Sequence, residues 1–317
     1  MRIVNDFKYE RPGTLKDALV ILEKHQGGAV PLAGGTDLVV NMKHRSMLQL
    51  FPNAGTPDAK FEAAKFVQPA LAPEVVVSLA SLSELEGIKT GADFVWIGPT
   101  TTMARIAAAD DLPAALGALR DAAGSMGSPL VRNRATIGGN LVNARPAADG
   151  AVALIALGGI VELASVDGTR KEAACDFITA PGCTTCSTAE LITGLSVSVG
   201  PDQGSAYVRH GTRRQLEIAL VGAAVWIQLE KASGTVKDAR ICLGAVGPRP
   251  MPADGAAKTL LSKKPDKEAI ARCAEAAVKE ATPIDDFRGS AGYRSELVDV
   301  LVRRALEKAV ERAKGAS

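Results

Sequence analysis

Histidine is scarce: His25, His44 and His210 are the only three in 317 residues. They form neither an HExxH pair nor a recognisable triad, and read as surface residues. Cysteine is sparse and odd in number, at five, which argues against a secreted disulfide framework and for reduced thiols. Cys183 and Cys186 form a CxxC, but a zinc or iron–sulfur site needs about four ligands. Cys175, Cys242 and Cys273 supply no second close pair, so no metal is expected. Cys273 shares the apolar side of a helical pattern with Ile270 and Ala277 and reads as a small buried hydrophobe. An excess of one charge sign is also missing. With 37 Lys+Arg against 35 Asp+Glu the net charge is +2, which gives no footprint for nucleic acid or an anionic membrane. The longest apolar run, Gly150 to Val161, falls short of the roughly 18 to 20 residues of a membrane span. Met1-Arg2-Ile3-Val4-Asn5-Asp6 leads into no h-region, so a cytoplasmic location is expected. There is no GxGxxG after a strand, no GxxxxGK[ST] and no repeat of 20 to 50 residues.

What is present is ordinary globular composition, 47% apolar and 23% charged, in a chain long enough for about two domains. Thr14, with Asp17 three residues on, opens an amphipathic helix through Leu15, Ala18, Leu19 and Leu22 that stops at Gly27-Gly28. A short strand over Ala29 to Ala33, a glycine turn and a helix from Thr36 to Lys43 follow. Leu48 to Pro73, rich in proline, reads as a long irregular connection between subdomains. Val75 to Leu79 and Phe94 to Ile97 read as buried strands, and Thr102 to Ala109 and Leu112 to Met126 as helices. Ala148 to Leu157 is an Ala-rich helix, Ile160 to Ser165 a strand, and Val166 to Thr169 a hairpin turn. Further strands are expected at Leu195 to Val199 and Ala206 to Arg209. Beyond Gly200 to Gly204 come two long strands, Ala219 to Leu229 and Val236 to Leu243, then helices from Asp266 and Ser290. The expected division is 1–200, in parts of about 1–58 and 59–200, followed by 201–317.

The chemistry lies in two similar segments, Ala33-Gly34-Gly35-Thr36 and Thr136-Ile137-Gly138-Gly139-Asn140. Each places paired glycines beside a hydroxyl residue. Without Cβ atoms the backbone can approach a ligand closely, and consecutive N–H groups can converge on phosphate oxygens. Two such segments a hundred residues apart could clasp a dinucleotide pyrophosphate. The competing reading is that each Gly-Gly marks a tight turn for backbone reasons alone.

Pro31 to Leu38 and Val131 to Leu141 resemble the two FAD signatures of the xanthine dehydrogenase and carbon monoxide dehydrogenase flavoprotein family. The resemblance continues through Ala144 to Asp149, Ala189 to Ile192, Tyr207-Val208-Arg209 with Arg213, Ile218-Ala219, and Asp286 to Arg294. It implies an α+β fold: a two-part FAD-binding domain of the vanillyl-alcohol oxidase (PCMH) type and a smaller C-terminal α+β domain. It also implies that Leu32, Ala33, Gly34, Gly35, Thr36, Asp37 and Leu38 wrap the pyrophosphate from one side. Thr136, Ile137, Gly138, Gly139 and Asn140 would approach it and the flavin from the other. Asp149 matches a cofactor-contacting position, Ile192 an aliphatic residue near the isoalloxazine, and Arg209 a position where relatives often carry Lys. Plain core packing is the alternative for Ile192, and a solvated charge for Arg209. No cysteine lies between Leu141 and Leu157, where some members insert an iron–sulfur cluster, so none is expected in this chain.

The function implied is an FAD-carrying electron-transfer subunit of a heteromeric molybdenum hydroxylase, with no catalytic acid, base or nucleophile of its own. It would take electrons from a [2Fe-2S] small subunit, served in turn by a molybdopterin-binding large subunit, and pass them to an external acceptor. A self-contained FAD oxidoreductase of the same fold, or a scaffold without flavin, is the alternative.

Overall fold

The computed structural model describes residues 5–43, 71–213 and 216–315. Most of the expected Leu48 to Pro73 connection, and His44, lie outside them. The first part is a parallel sheet of β1 (Lys8–Glu10), β2 (Ala29–Leu32) and β3 (Val75–Ser78), in the order β1-β3-β2, with helix α1 (Leu15–His25) on it. Thr14 caps α1 as read, accepting from the Asp17 N–H, and Ala18, Leu19 and Leu22 form the buried stripe. The short helix α2 (Leu38–Lys43) follows the first glycine segment.

The second part is a sheet of β4 (Ile88–Thr90), β5 (Phe94–Ile97), β6 (Ile160–Ser165), β7 (Gly168–Ala173) and, later in the chain, Leu191–Ser198. Between β5 and β6 run α3 (Met103–Ala107), α4 (Gly117–Ser125), α5 (Pro129–Arg132), α6 (Ile137–Val142) and α7 (Asp149–Ala156). Every residue of α7 is buried, which explains an apolar run without amphipathic pattern. Helix α8 (Ala174–Phe177) and the small pair β8 (Ile178–Ala180) and β9 (Cys183–Thr184) precede the Leu191–Ser198 strand, β10, which occupies the centre of the sheet between β5 and β6.

The third part is an antiparallel sheet, β11 (Gln203–His210), β12 (Val221–Leu229), β13 (Val236–Gly244) and β14 (Met251–Pro252), followed by α9 (Asp254–Lys258), α10 (Lys267–Glu280) and α11 (Ala291–Gly315). Strand β12 is apolar on both faces because both are covered. Ala224 and Trp226 join the core containing α4 and α7, while Ala223, Val225 and Ile227 join the core built with α10 and α11. Cys273 is fully buried in that second core, as its helical position implied.

Polar contacts fix this third part to the second. Asp121 of α4 takes Lys308 (2.9 Å) and Arg312 (2.7 Å) of α11 and accepts from the Tyr207 N–H (3.1 Å). The buried Ser205 hydroxyl donates to the Ala115 carbonyl at 2.7 Å and accepts from the Ala118 N–H at 2.8 Å.

Candidate FAD-binding site

The glycine segments meet. A Cβ at Gly34 would overlap the carbonyl oxygen of Arg134 and lie 3.1 Å from the Cα of Ala135, so the first segment rests directly on the backbone leading into the second. Each glycine has its own reason for being there. Gly35 has φ +76, a left-handed turn position that disfavours a side chain. Gly138 packs on Pro99, whose Cβ and carbonyl oxygen a side chain would meet at 2.6 and 2.8 Å. Gly139 is exposed, and a Cβ there would meet only the Thr136 hydroxyl, at 2.9 Å. The tight-turn explanation therefore holds for Gly35 and fails for the second pair, which is helical.

The second segment also differs from its reading as a glycine loop: it is the first turn of α6, with Thr136 as N-cap. Its N–H groups are consequently spent inside the protein. Ile137 donates to the Thr101 carbonyl, Gly138 to that of Pro99, Gly139 to the Thr136 hydroxyl and Asn140 to the Thr136 carbonyl. What this segment offers a ligand is the bare surface at Gly139. Asn140 is turned inward as well, its Oδ1 accepting from the Ala151 N–H at 3.2 Å and so holding the first turn of α7. In the first segment, by contrast, the N–H groups of Gly34, Gly35, Thr36 and Asp37 have no acceptor among the described residues. The donors come from one side of the clasp and the close approach from the other.

Charge is arranged across the same junction. Crowding by the surrounding protein pushes the Asp37 carboxyl above its ordinary value, against the nearby Arg145 charge and the Asn143 amide. Asp37 is nevertheless exposed. Burial draws the Arg145 guanidinium down to about 10, with Asp37 opposing the shift, and the buried Arg145 Nη1 has no hydrogen-bond partner. A buried guanidinium nitrogen without an acceptor is costly unless an anion completes it. Sequence reasoning included Arg145 only within a motif; its isolation from protein acceptors is visible only in three dimensions. Free backbone donors, a guanidinium nitrogen without an acceptor and an open glycine face fit a pyrophosphate-bearing cofactor such as FAD.

Asp149 and Arg209 come together in one ion pair. Asp149, 5% exposed at the start of α7, lies 3.1 Å from Arg209 Nη1 and accepts a 2.6 Å hydrogen bond from the Tyr207 hydroxyl. Arg209 also donates to the carbonyls of Ser125 and Glu217, and it lines a cavity of about 440 Å³ with Arg132, Arg213 and His210. It is thus neither a free lysine-like cation nor a solvated surface charge. Ile192 is 6% exposed and packs in the same core as α4 and α7, beside a bulge in β10. Leu32 and Leu38 flank the first turn and line a small apolar pocket of about 180 Å³ with Tyr9 and Met42. The CxxC pair is open at Cys183, whereas Cys186 is partly covered, its thiol pushed up to about 12 by burial and the Glu190 charge.

Residues 64–198 match the model of the FAD binding domain in molybdopterin dehydrogenase, and residues 206–309 that of the CO dehydrogenase flavoprotein C-terminal domain. The carbon monoxide dehydrogenase medium chain of Afipia carboxidovorans is 31% identical over 98% of this chain and 99% of its own. The chain belongs to the xanthine dehydrogenase and carbon monoxide dehydrogenase flavoprotein family. The glyceraldehyde dehydrogenase medium chain of Sulfolobus acidocaldarius is 30% identical, over 96% of this chain and 98% of its own. In a solved structure of reconstituted CO dehydrogenase from Oligotropha carboxidovorans, a chain 31% identical superposes with a TM-score of 0.83 over 98% of this chain and 99% of that one. The FAD-domain and C-terminal-domain architecture implied by the motifs is therefore the one found. Among the described residues no helix is long and apolar enough to cross a membrane.

Proposed function

We propose that this chain binds one FAD noncovalently and serves as the electron-transfer subunit of a heteromeric molybdenum hydroxylase in the cytoplasm. Its partners are a [2Fe-2S] small subunit, which hands it electrons, and a molybdopterin-binding large subunit, where substrate is oxidised; the electrons leave to an external acceptor. The FAD-binding part spans residues 1–200, with subdomains of about 1–58 and 59–200, and the flavoprotein C-terminal part spans 201–317. The observation that carries the reading is the meeting of the glycine segments around unsatisfied donors.

In this reading the N–H groups of Gly34 to Asp37 donate to pyrophosphate oxygens, and the Arg145 guanidinium, whose Nη1 has no acceptor, adds positive charge near them. Gly139 leaves the space through which the cofactor lies against α6. Ile192 and Arg209 stand toward the ring system, Ile192 as an apolar wall and Arg209 at its polar edge. Bound FAD supplies redox chemistry that accepts electrons singly and releases a pair. The protein's task is to hold it, set its potential and control access. Nothing in that task requires an acid, base or nucleophile from this chain.

The test is substrate-dependent bleaching of the flavin band, with and without the two partner chains. Bleaching by a heteroaromatic, aldehyde or thioester substrate of the assembled enzyme should require both partners. Rapid bleaching with this chain alone would replace the relay by a self-contained flavoenzyme. Acid precipitation should release the yellow colour, and colour retained on the precipitated chain would refute noncovalent binding.

A further inference from the structure

We infer that Tyr207 is a positioning residue for the flavin environment: through its hydroxyl it holds Asp149, and Asp149 holds the Arg209 guanidinium in the wall of the cavity. This deepens the FAD reading above and rests on it. The three residues come from two different parts of the fold. Asp149 begins α7 in the FAD-binding part, whereas Tyr207 and Arg209 lie two apart on β11, on the same face of the C-terminal sheet. The ring of Tyr207 reaches Asp149 across β12, where Gly222 makes room for it. A Cβ at Gly222 would collide with the tyrosine hydroxyl and lie 3.0 Å from Cζ.

The geometry divides the work between the two carboxylate oxygens. Oδ1 receives the tyrosine at 2.6 Å and Arg209 Nη1 at 3.2 Å, and Oδ2 receives the same Nη1 at 3.1 Å. Arg209 therefore meets the carboxylate through one nitrogen, and a single-nitrogen contact does not by itself fix the plane of a guanidinium. Two further contacts, to the Ser125 and Glu217 carbonyls, and the tyrosine's hold on the carboxylate complete that constraint. The groups facing Asp149 are Arg209 and Tyr207 of β11 and its own helix backbone; Cys242 of β13 faces the tyrosine. Burial raises the Asp149 carboxyl, and the Arg209 charge and then the Tyr207 hydrogen bond are the opposing influences. Losing the hydroxyl therefore makes the carboxyl easier to protonate, which leaves the arginine charge uncompensated beside the cavity. A more positive wall favours the reduced, more electron-rich flavin.

The experiment compares wild type, Tyr207→Phe and Asp149→Asn as FAD-loaded protein, reading flavin content and the two-electron midpoint potential across pH. Tyr207→Phe should keep its flavin and bind the reduced form about tenfold more tightly relative to the oxidised form at the acidic end of the pH range. That is a rise of about 30 mV for a two-electron couple. The rise should shrink as pH increases, while Asp149→Asn should show it at every pH. A potential in Tyr207→Phe equal to wild type at all pH values, with normal flavin content, overturns the inference. If Tyr207→Phe does not yield folded protein, Asp149→Asn decides: a wild-type potential there overturns it equally. A wild-type chain that takes up no flavin refutes the FAD reading instead. In that case difference infrared spectroscopy of the flavin-free protein, referenced to Asp149→Asn, still tests the linkage. The protonated-carboxyl band of Asp149 should persist to higher pH in Tyr207→Phe, and an unchanged band overturns the inference.

Discussion

Gly34 rests on the carbonyl oxygen of Arg134, a hundred residues away, with no space for a side chain between them. That contact brings together two glycine segments from different parts of the fold. Gly34→Ala should force the segments apart, at an overpacking cost of about 1–3 kcal/mol. A fall in melting temperature together with loss of bound FAD is expected. Full occupancy at wild-type stability would show that the junction is not needed for binding.

Gly139→Ala is expected to separate stability from binding. Gly139 is helical and exposed, so alanine meets only the adjustable Thr136 hydroxyl and gains up to about 1 kcal/mol of helix propensity. The apoprotein should melt near the wild-type temperature while FAD content falls. Gly138→Ala, which drives a methyl into Pro99, should instead lower the melting temperature of the apoprotein itself. Identical behaviour of the two variants would remove the distinction between a packed and a ligand-facing glycine.

Arg145→Gln removes a buried Nη1 donor that has no acceptor but also the charge facing Asp37, so the apoprotein should stay within about 1 kcal/mol of wild-type stability. FAD affinity, followed by quenching of flavin fluorescence during titration of the apoprotein, should drop at least about tenfold, equivalent to about 1.4 kcal/mol. Destabilised apoprotein with undiminished affinity would make Arg145 a structural cation.

The C-terminal part should show acid sensitivity traceable to Asp286. Although burial works the other way, Arg288 and then Arg294 hold its carboxyl at about 2. Arg294 is 1% exposed and lies 2.7 Å from Asp286 in an ion pair off the hydrogen-bond axis, while its Nη1 donates to the Leu220 and Ala245 carbonyls. A depressed folded-state value means that the stabilisation is complete above the unfolded value near 3.8 and is lost as pH falls toward 2. Asp286→Asn should cost about 3 kcal/mol at pH 7, because it leaves Arg294 buried without its counter-charge. It should also flatten the decline in stability between pH 4 and 2. A parallel decline in both proteins would sink the assignment.

Much of this molecule was legible in one dimension because the relevant physics is local. The Thr14 cap and the stripe behind it, the Val166 to Thr169 hairpin, the helix from Asp266 and the long strand that became β12 all follow from nearest neighbours and periodicity. Short elements escaped. Lys8–Glu10 and Ile88–Thr90 are too brief and polar to signal a strand, and they exist because β3 and β5 offer them hydrogen bonds.

The sequence by itself determined that two glycine-hydroxyl segments exist and which family they belong to, because residue types at fixed spacing survive without coordinates. Only the tertiary structure decided what each segment does. Whether an N–H is free depends on who accepts it: the Thr101 and Pro99 carbonyls and Thr136 take those of Ile137 to Asn140, while those of Gly34 to Asp37 have no acceptor among the described residues. The same holds for charge. Arg145 is an ordinary arginine in the sequence, and it becomes a cation lacking an acceptor at Nη1 only once folding has buried it beside Asp37. Asp149 finds Tyr207 and Arg209 across some sixty residues, because burying a carboxylate requires partners that only packing can bring.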